Sequence, residues 1–309
     1  MRGNPIANTI CSKILEAIDL RTTLIRPEDN SGRLINSNGD NLPGLIVDLY
    51  DDYLVVEITN LAMKSIQDKV IDILSETLSP KGILIKHRKN AKEIVETISG
   101  KSLPEITITS NDALYLTNPT KGTIHFFDQN DNRAWFSHLM KGYTVLDTFC
   151  YSGAWGIESA LAGAKSVTFI DSDKKAIKLT EHNWQLNNLG DNIETHVKTT
   201  LNYLNECIDS DKKFDAIVVD PPISIKQRDE IEELNDKAIQ VLHKGGLLVT
   251  SCPVPSITFE SFSKIIAKAA TNADKFCKVI HIGHLSSCFP VDAMFPESSY
   301  LKCIFGRVY

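Results

Sequence analysis

Residues 145–156, Val-Leu-Asp-Thr-Phe-Cys-Tyr-Ser-Gly-Ala-Trp-Gly, run an apolar strand into a glycine turn and then into a helix. No other stretch constrains the fold as much, because this is how a chain brings its backbone against a nucleoside-bearing cofactor. The strand is predicted over residues 143–147 and the helix from Ala154 to about Ala162. Gly153 and Gly156 carry no β-carbon where a ligand and the following helix must approach the main chain. An ordinary strand-to-helix turn also uses such glycines, so a second feature has to decide. It comes at residues 165–170, a buried strand ending in Asp171 about 20 residues past the turn, where a carboxylate can accept hydrogen bonds from a ribose diol.

NAD and S-adenosyl-L-methionine both carry that diol. A dinucleotide site requires Gly-x-Gly-x-x-Gly, with the pyrophosphate on the helix N-terminus. Here Tyr151-Ser152-Gly153-Ala154-Trp155-Gly156 has a single Gly-x-x-Gly, no first glycine and the bulky Trp155. Asp147, at the strand end, instead suits the amino group of a methionine moiety. S-adenosyl-L-methionine is therefore the expected cofactor, and a dehydrogenase is the weaker reading.

The chain has 309 residues, enough for one large domain or two smaller ones, and its 42% hydrophobic and 23% charged content is that of a globular protein. No segment approaches the ~18 uninterrupted apolar residues of a membrane helix. Met1-Arg2-Gly3-Asn4-Pro5 lacks the apolar run of a signal peptide. Seven cysteines without a Cys-x-x-Cys pair imply reduced thiols, no metal site and a cytoplasmic setting. A net charge of −6 excludes a uniformly basic nucleic-acid binder, so any RNA site must be local. The clearest basic cluster is Lys86-His87-Arg88-Lys89-Asn90-Ala91-Lys92, which reads first as a solvated face.

The organisation changes near residue 120. Before it, strands are expected at 33–36, 44–48, 53–59 and 82–86, with a pair at 105–109 and 113–117 joined through Asn111-Asp112. A helix is expected over 61–78, ending before Ser79-Pro80. The expected domains are an extension over 1–30, a small α+β middle domain over 31–120 and an α/β domain over 121–309. In the last, strands at 143–147, 165–170, 192–197, 214–219, 246–251, 278–282 and 300–307 alternate with helices. That alternation implies a Rossmann-like doubly wound sheet, whose ligands lie at the carboxyl ends of its strands.

Two further segments carry chemistry. The strand at 214–219 ends in Asp220-Pro221-Pro222, a rigid backbone whose carbonyls are expected to be free to grip an exocyclic amino group of a base. The strand at 246–251 delivers Cys252 to the same edge. A thiol there can add to C6 of a pyrimidine, so that C5 takes the methyl group and loss of the C5 proton then expels the enzyme. Free cysteine has a pKa of about 8.5, so such a nucleophile needs local activation. A cysteine at a strand end is also an ordinary small core residue.

Together, Asp147-Thr148-Phe149-Cys150-Tyr151-Ser152-Gly153, Asp171, Asp220-Pro221-Pro222 and Gly245-Gly246-Leu247-Leu248-Val249-Thr250 resemble the class I S-adenosylmethionine-dependent methyltransferases that make 5-methylcytosine in large-subunit ribosomal RNA. The segments 39–48, 126–133 and 295–302 resemble that family's middle-domain signature, its entry to the catalytic domain and its C-terminal hairpin. The resemblance covers roughly residues 30–309. It implies the class I methyltransferase fold with an antiparallel last strand, an RNA-binding role for the middle domain, ribosomal RNA as partner and a possible homodimer with no membrane association. It places Phe127, Asp128, Arg133, Asp147, Phe149, Tyr151, Ser152, Gly153, Asp171, Ser172, Thr199 and Asp220 at the cofactor, and Asp220 and Pro221 at the target base, beside which Cys252 is the catalytic candidate read from the strand end.

The departures are equally specific. About 30 residues precede the middle domain, where the family begins with an RNA-binding PUA domain. The expected Lys-Thr-Gly before Phe126 reads Thr123-Ile124-His125, and the carboxylate that would bind the adenine amino group falls at Thr199 or Thr200. Ile223 stands where lysine follows Asp-Pro-Pro, and the loop over 224–233 is shortened. An ungapped alignment puts the nucleophilic cysteine at Pro253, one position past Cys252. One residue along a strand reverses a side chain, so Cys252 serves as nucleophile only where a bulge or turn restores its direction. Two other readings stay open: methylation of an amino group without a covalent intermediate, and a non-catalytic relative that binds RNA or the ribosome.

Overall fold

The computed structural model describes residues 5–89, 92–225 and 227–309. The chain forms two compact units: Met1–Asn130 with Ser286–Ser298, and Asp131–Leu285 with Ser299–Tyr309. The boundary expected near residue 120 thus falls at Asn130, and a late segment rejoins the first unit.

The first unit contains α1 (Pro5–Leu24), β1 (Ser31–Asn36), β2 (Leu45–Tyr50), β3 (Tyr53–Ile58), α2 (Leu61–Lys64), α3 (Gln67–Leu78), β4 (Gly82–Lys89), β5 (Lys92–Gly100), β6 (Ile106–Ser110) and β7 (Ala113–Thr117). The first five strands pair in sequence order, and the parallel β3–β4 pair is bridged by α2 and α3. The expected extension over 1–30 is a correction: from Pro5 it is helix α1, whose Ile14 and Ala17 join Val70, Ile73 and Leu74 of α3 in the core. Arg21 of α1 is buried in a bidentate pair with Asp40, at 2.5 and 2.7 Å, and donates to the Cys288 carbonyl at 3.1 Å. The helix expected over 61–78 is two helices: α2, capped by the Asn60 side chain, ends at Lys64, and Ile66, with φ of −118°, leaves the helical conformation before Gln67. The basic cluster belongs to the β4–β5 hairpin; Asn90 and Ala91 lie outside the described residues, as do the side chains of residues 88–94.

Residues 286–298 are held in the first unit by specific bonds. Ser286 N–H donates to the Asp128 carbonyl at 2.8 Å, Asn36 Nδ2 donates to the Pro290 carbonyl at 3.0 Å, and the Arg33 guanidinium lies 4.3 Å from the Phe289 ring centre.

The second unit opens with α4 (Asn130–Ser137) and continues β8 (Thr144–Thr148), α5 (Ala154–Leu161), β9 (Ser166–Asp171), α6 (Lys174–Leu186), β10 (Ile193–Val197), α7 (Thr200–Asp209), β11 (Phe214–Val219), α8 (Arg228–Gln240), β12 (Leu242–Cys252), α9 (Phe259–Asn272), β13 (Cys277–Gly283) and β14 (Lys302–Val308). Its seven strands lie in the order β10-β9-β8-β11-β12-β14-β13, with β14 antiparallel to both neighbours. The order reverses between β8 and β11, so their carboxyl ends form the switch-point crevice of a doubly wound sheet. Among the described residues no helix is long and apolar enough to cross a membrane.

What brings α5 onto this sheet is Gly156. A β-carbon there would lie 2.3 and 2.5 Å from the Phe169 ring atoms and 2.7 Å from Val167 Cγ1. Gly156→Ala is therefore expected to destabilise the protein by about 1–3 kcal/mol, the usual range for overpacking. A lowered urea midpoint supports this account, and an unchanged midpoint shows that α5 retreats freely.

Candidate active site

The turn after β8 is built from residues in unusual conformations. Phe149, Tyr151 and Gly153 have φ of +57°, +48° and +78°, a left-handed region that costs energy for the two side-chain-bearing residues. Their surroundings hold them there. Cys150 N–H donates to the Ile170 carbonyl at 3.1 Å, and Tyr151 N–H donates to Asp171 Oδ2 at 3.1 Å. From α6, Thr180 Oγ1 donates to the Tyr151 carbonyl at 3.0 Å and Asn183 Nδ2 to the Ser152 carbonyl at 2.9 Å. At Gly153 a β-carbon would sit 2.7 Å from Thr180 Cγ2, so the close packing of α6 and the left-handed backbone both require glycine.

Charge is concentrated around this turn. Asp147 is wholly buried; its Oδ2 accepts the Gly156 N–H at 3.0 Å, while Oδ1 has no hydrogen-bond partner. Burial pushes its carboxyl up to about 8; Asp220 and Asp171 push the same way, against the Gly156 N–H and Arg133. Arg133 offers limited relief because it is itself paired with Glu158 at 2.8 Å, both side chains being buried. Asp171, at the end of β9, accepts the Asp173 N–H at 2.9 Å with its other oxygen, which fixes the carboxylate at the edge of the turn. A buried carboxylate oxygen without a partner, close to two more carboxylates, fits a cofactor whose methionine end bears an ammonium group and whose sulfur is cationic.

The third part of the site is the end of β11. Asp220 accepts from Trp155 Nε1 at 2.9 Å through one oxygen and from Ser251 Oγ through the other. Pro221 is buried and Ile223 is exposed. Of the carbonyls expected to be free, that of Pro222 is engaged, accepting the Ile225 N–H at 3.0 Å. Lys226, in the loop read as short, lies outside the described residues.

Cys252 faces away from this group. The pairing of β12 with β14 runs from Gly246 opposite Val308 to Cys252 opposite Lys302 without a shift in register. Ser251 points to Asp220, so Cys252 lies on the other face, 1% exposed, in a core with Phe262, Ile265 and Ile266 of α9. The bulge that would redirect it is not present in this ladder. Burial pushes the thiol up, with the Val254 N–H and the Lys302 ammonium pulling the other way.

Phe127 and Asp128 belong to the first unit, where Phe127 packs on Tyr50 and His125 with ring centres 5.4 and 5.1 Å apart. Thr199 is exposed and caps α7, accepting the Asn202 N–H, and Ser172 is exposed. The motifs in the sequence do not mark Thr180, Asn183 or Ser251, and they present Trp155 only as an obstacle. Thr180 and Asn183 were detectable as polar residues on the buried stripe Ala176, Ile177, Thr180, Asn183, Trp184 of α6, where a polar group needs a backbone partner. Among the described residues no cluster of three His, Cys, Asp or Glu side chains is placed to hold a metal ion.

Comparison with known proteins identifies the family. The family model "Conserved hypothetical protein 95" matches residues 119–277. The ribosomal RNA large subunit methyltransferase I of Shewanella denitrificans is 31% identical over 98% of this chain and 81% of its own length, and that of Shewanella frigidimarina is 29% identical with the same coverage. The chain belongs to the ribosomal RNA large subunit methyltransferase I family. A Streptococcus mutans structure provisionally assigned as an S-adenosylmethionine-dependent methyltransferase superposes with a TM-score of 0.89 at 22% identity, covering 97% of this chain and 81% of that one. A structure of an S-adenosylmethionine-dependent methyltransferase from Agrobacterium tumefaciens gives 0.67 at 18% identity, over 91% and 90%. The second unit thus has the class I methyltransferase fold, and this member of the family is an S-adenosylmethionine-dependent methyltransferase. When bound, the cofactor supplies an electrophilic methyl group; the turn, Asp147 and Asp171 are the residues that fit it.

Asp147 makes stability depend on pH. Its carboxyl ionises near 3.8 in the unfolded chain and near 8 when buried, so the folded state holds the proton more tightly. Its contribution is complete below about pH 4 and is lost as pH rises toward 8. Asp147→Asn keeps the acceptor for Gly156 without the charge, so its stability relative to the wild type should rise over that interval, by at most about 1.4 kcal/mol per pH unit. Urea melts without added cofactor measure this, and a difference independent of pH refutes it.

Proposed function

We propose that this protein methylates large-subunit ribosomal RNA, at C5 of a cytosine. The observation that carries this reading is the convergence, at the β8–β11 switch point, of a braced cofactor turn with the rigid Asp220-Pro221-Pro222 end of β11. A base offered to that backbone lies at the carboxyl edge of the strands that hold the methyl donor. The names of the Shewanella relatives supply the class of RNA. For C5 methylation a nucleophile adds to C6, the electrons displaced to C5 take the methyl group, and loss of the C5 proton expels the nucleophile. Cys252 is the residue proposed for this addition, and its use requires the end of β12 to turn the sulfur out of the core.

The burial of Cys252 supports a second reading, direct transfer to an exocyclic amino group held by the Asp220-Pro221 backbone. Ile223, in the position where an aromatic side chain would stack on the base, offers no ring to it.

Incubation of unmodified ribosomal RNA with labelled cofactor, followed by digestion to nucleosides, separates the two. The first reading expects 5-methylcytidine from the wild type and its loss by orders of magnitude in Cys252→Ser. Retained transfer in that variant, with an amino-methylated nucleoside as product, establishes the second. No incorporation into RNA by a protein that binds the cofactor eliminates both.

A further inference from the structure

We infer that Trp155 and Ser251 are positioning residues that clamp Asp220 and thereby set the base-holding backbone at a fixed place above the cofactor turn. The inference rests on the reading that Asp220-Pro221 receives the target base. Three elements meet at one carboxylate. Trp155 comes from the first turn of α5, immediately after Gly153, and is 5% exposed, with its ring edge-on to Phe136 at 5.6 Å. Its indole Nε1–H can only donate, and it donates to Asp220 Oδ2 at 2.9 Å. Ser251, 1% exposed on β12, donates its hydroxyl to Oδ1 of the same group.

A carboxylate held through both oxygens by buried donors on two different elements has little rotational freedom. The backbone following it is Pro221-Pro222, whose φ values the rings already restrict. The side-chain clamp and the prolines therefore fix the same short segment from its two ends. Trp155 ties that segment directly to the helix whose preceding glycine turn fits the cofactor. Methyl transfer needs donor and acceptor aligned to within a fraction of an ångström, so a clamp of this kind acts on turnover more than on cofactor affinity.

Two measurements test the inference. In methyl transfer to ribosomal RNA, Trp155→Phe and Ser251→Ala should lower kcat by about 10- to 100-fold while the cofactor Kd, from calorimetry, stays within about two-fold. Ser251→Ala should add little further loss in an Asp220→Asn background, because the two act through one group. The second measurement needs no turnover. In 15N-tryptophan spectra, with the Trp155 indole signal assigned from Trp155→Phe, both Asp220→Asn and Ser251→Ala should shift that signal. An unmoved indole signal, or a wild-type kcat in Ser251→Ala, overturns the clamp. A responsive indole in a wild-type protein that methylates no RNA upholds the clamp and overturns the RNA reading instead. Ser251→Ala removes only one oxygen atom, so it keeps the test valid even where Trp155→Phe impairs folding.

Discussion

The bond from the Gly156 N–H to the sealed Asp147 carboxylate is the constraint on which the site depends. It fastens the first turn of α5 to the strand below it, and it forms only because Gly156 lets the helix lie against Phe169. Once α5 is seated, the five residues between strand and helix must close a short gap. They do so by passing repeatedly through left-handed conformations, which Thr180, Asn183 and Asp171 stabilise. The same seating carries Trp155 across to Asp220. The cost is a buried carboxyl group with one oxygen unpartnered, a defect that persists in a folded protein where a ligand or a catalytic role compensates for it.

The α/β alternation and the glycine turn were readable because each rests on local pattern: continuous apolar strands, glycines where the backbone is crowded, a carboxylate at a strand tip. The antiparallel β14 was also accessible, through the resemblance to the class I methyltransferase fold. Contacts made at long range were harder to read. Helix α1 reads in the sequence as an extension because its apolar residues have meaning only once Ile14 and Ala17 meet α3. Strand β5 has no clear signal in the sequence because it begins inside a run of charge and declares itself only by pairing with β4.

At the end of β12 sequence spacing served better than sequence identity. A cysteine beside an Asp-Pro-Pro strand invites a chemical role, whereas the alternation of side chains along an unbroken ladder assigns the crevice side to Ser251 and the core side to Cys252. The neighbouring serine is inconspicuous because a hydroxyl in a strand has no distinctive signature. Trp155 shows the opposite error. Its bulk argues against a pyrophosphate site, whereas its one polar atom, which the structure puts to use, leaves no mark in the sequence.

The return of residues 286–298 to the first unit affects how this chain is made. The ribosome finishes the N-terminal α+β unit before it has synthesised the carbonyl groups of Cys288 and Pro290 to which Arg21 and Asn36 donate. Until that segment emerges, the Arg21–Asp40 pair lacks one of its bonds and Arg33 lacks the Phe289 ring. The first unit to be translated is therefore among the last to be completed, and an N-terminal fragment ending before residue 286 is an unfinished fold rather than a separable domain.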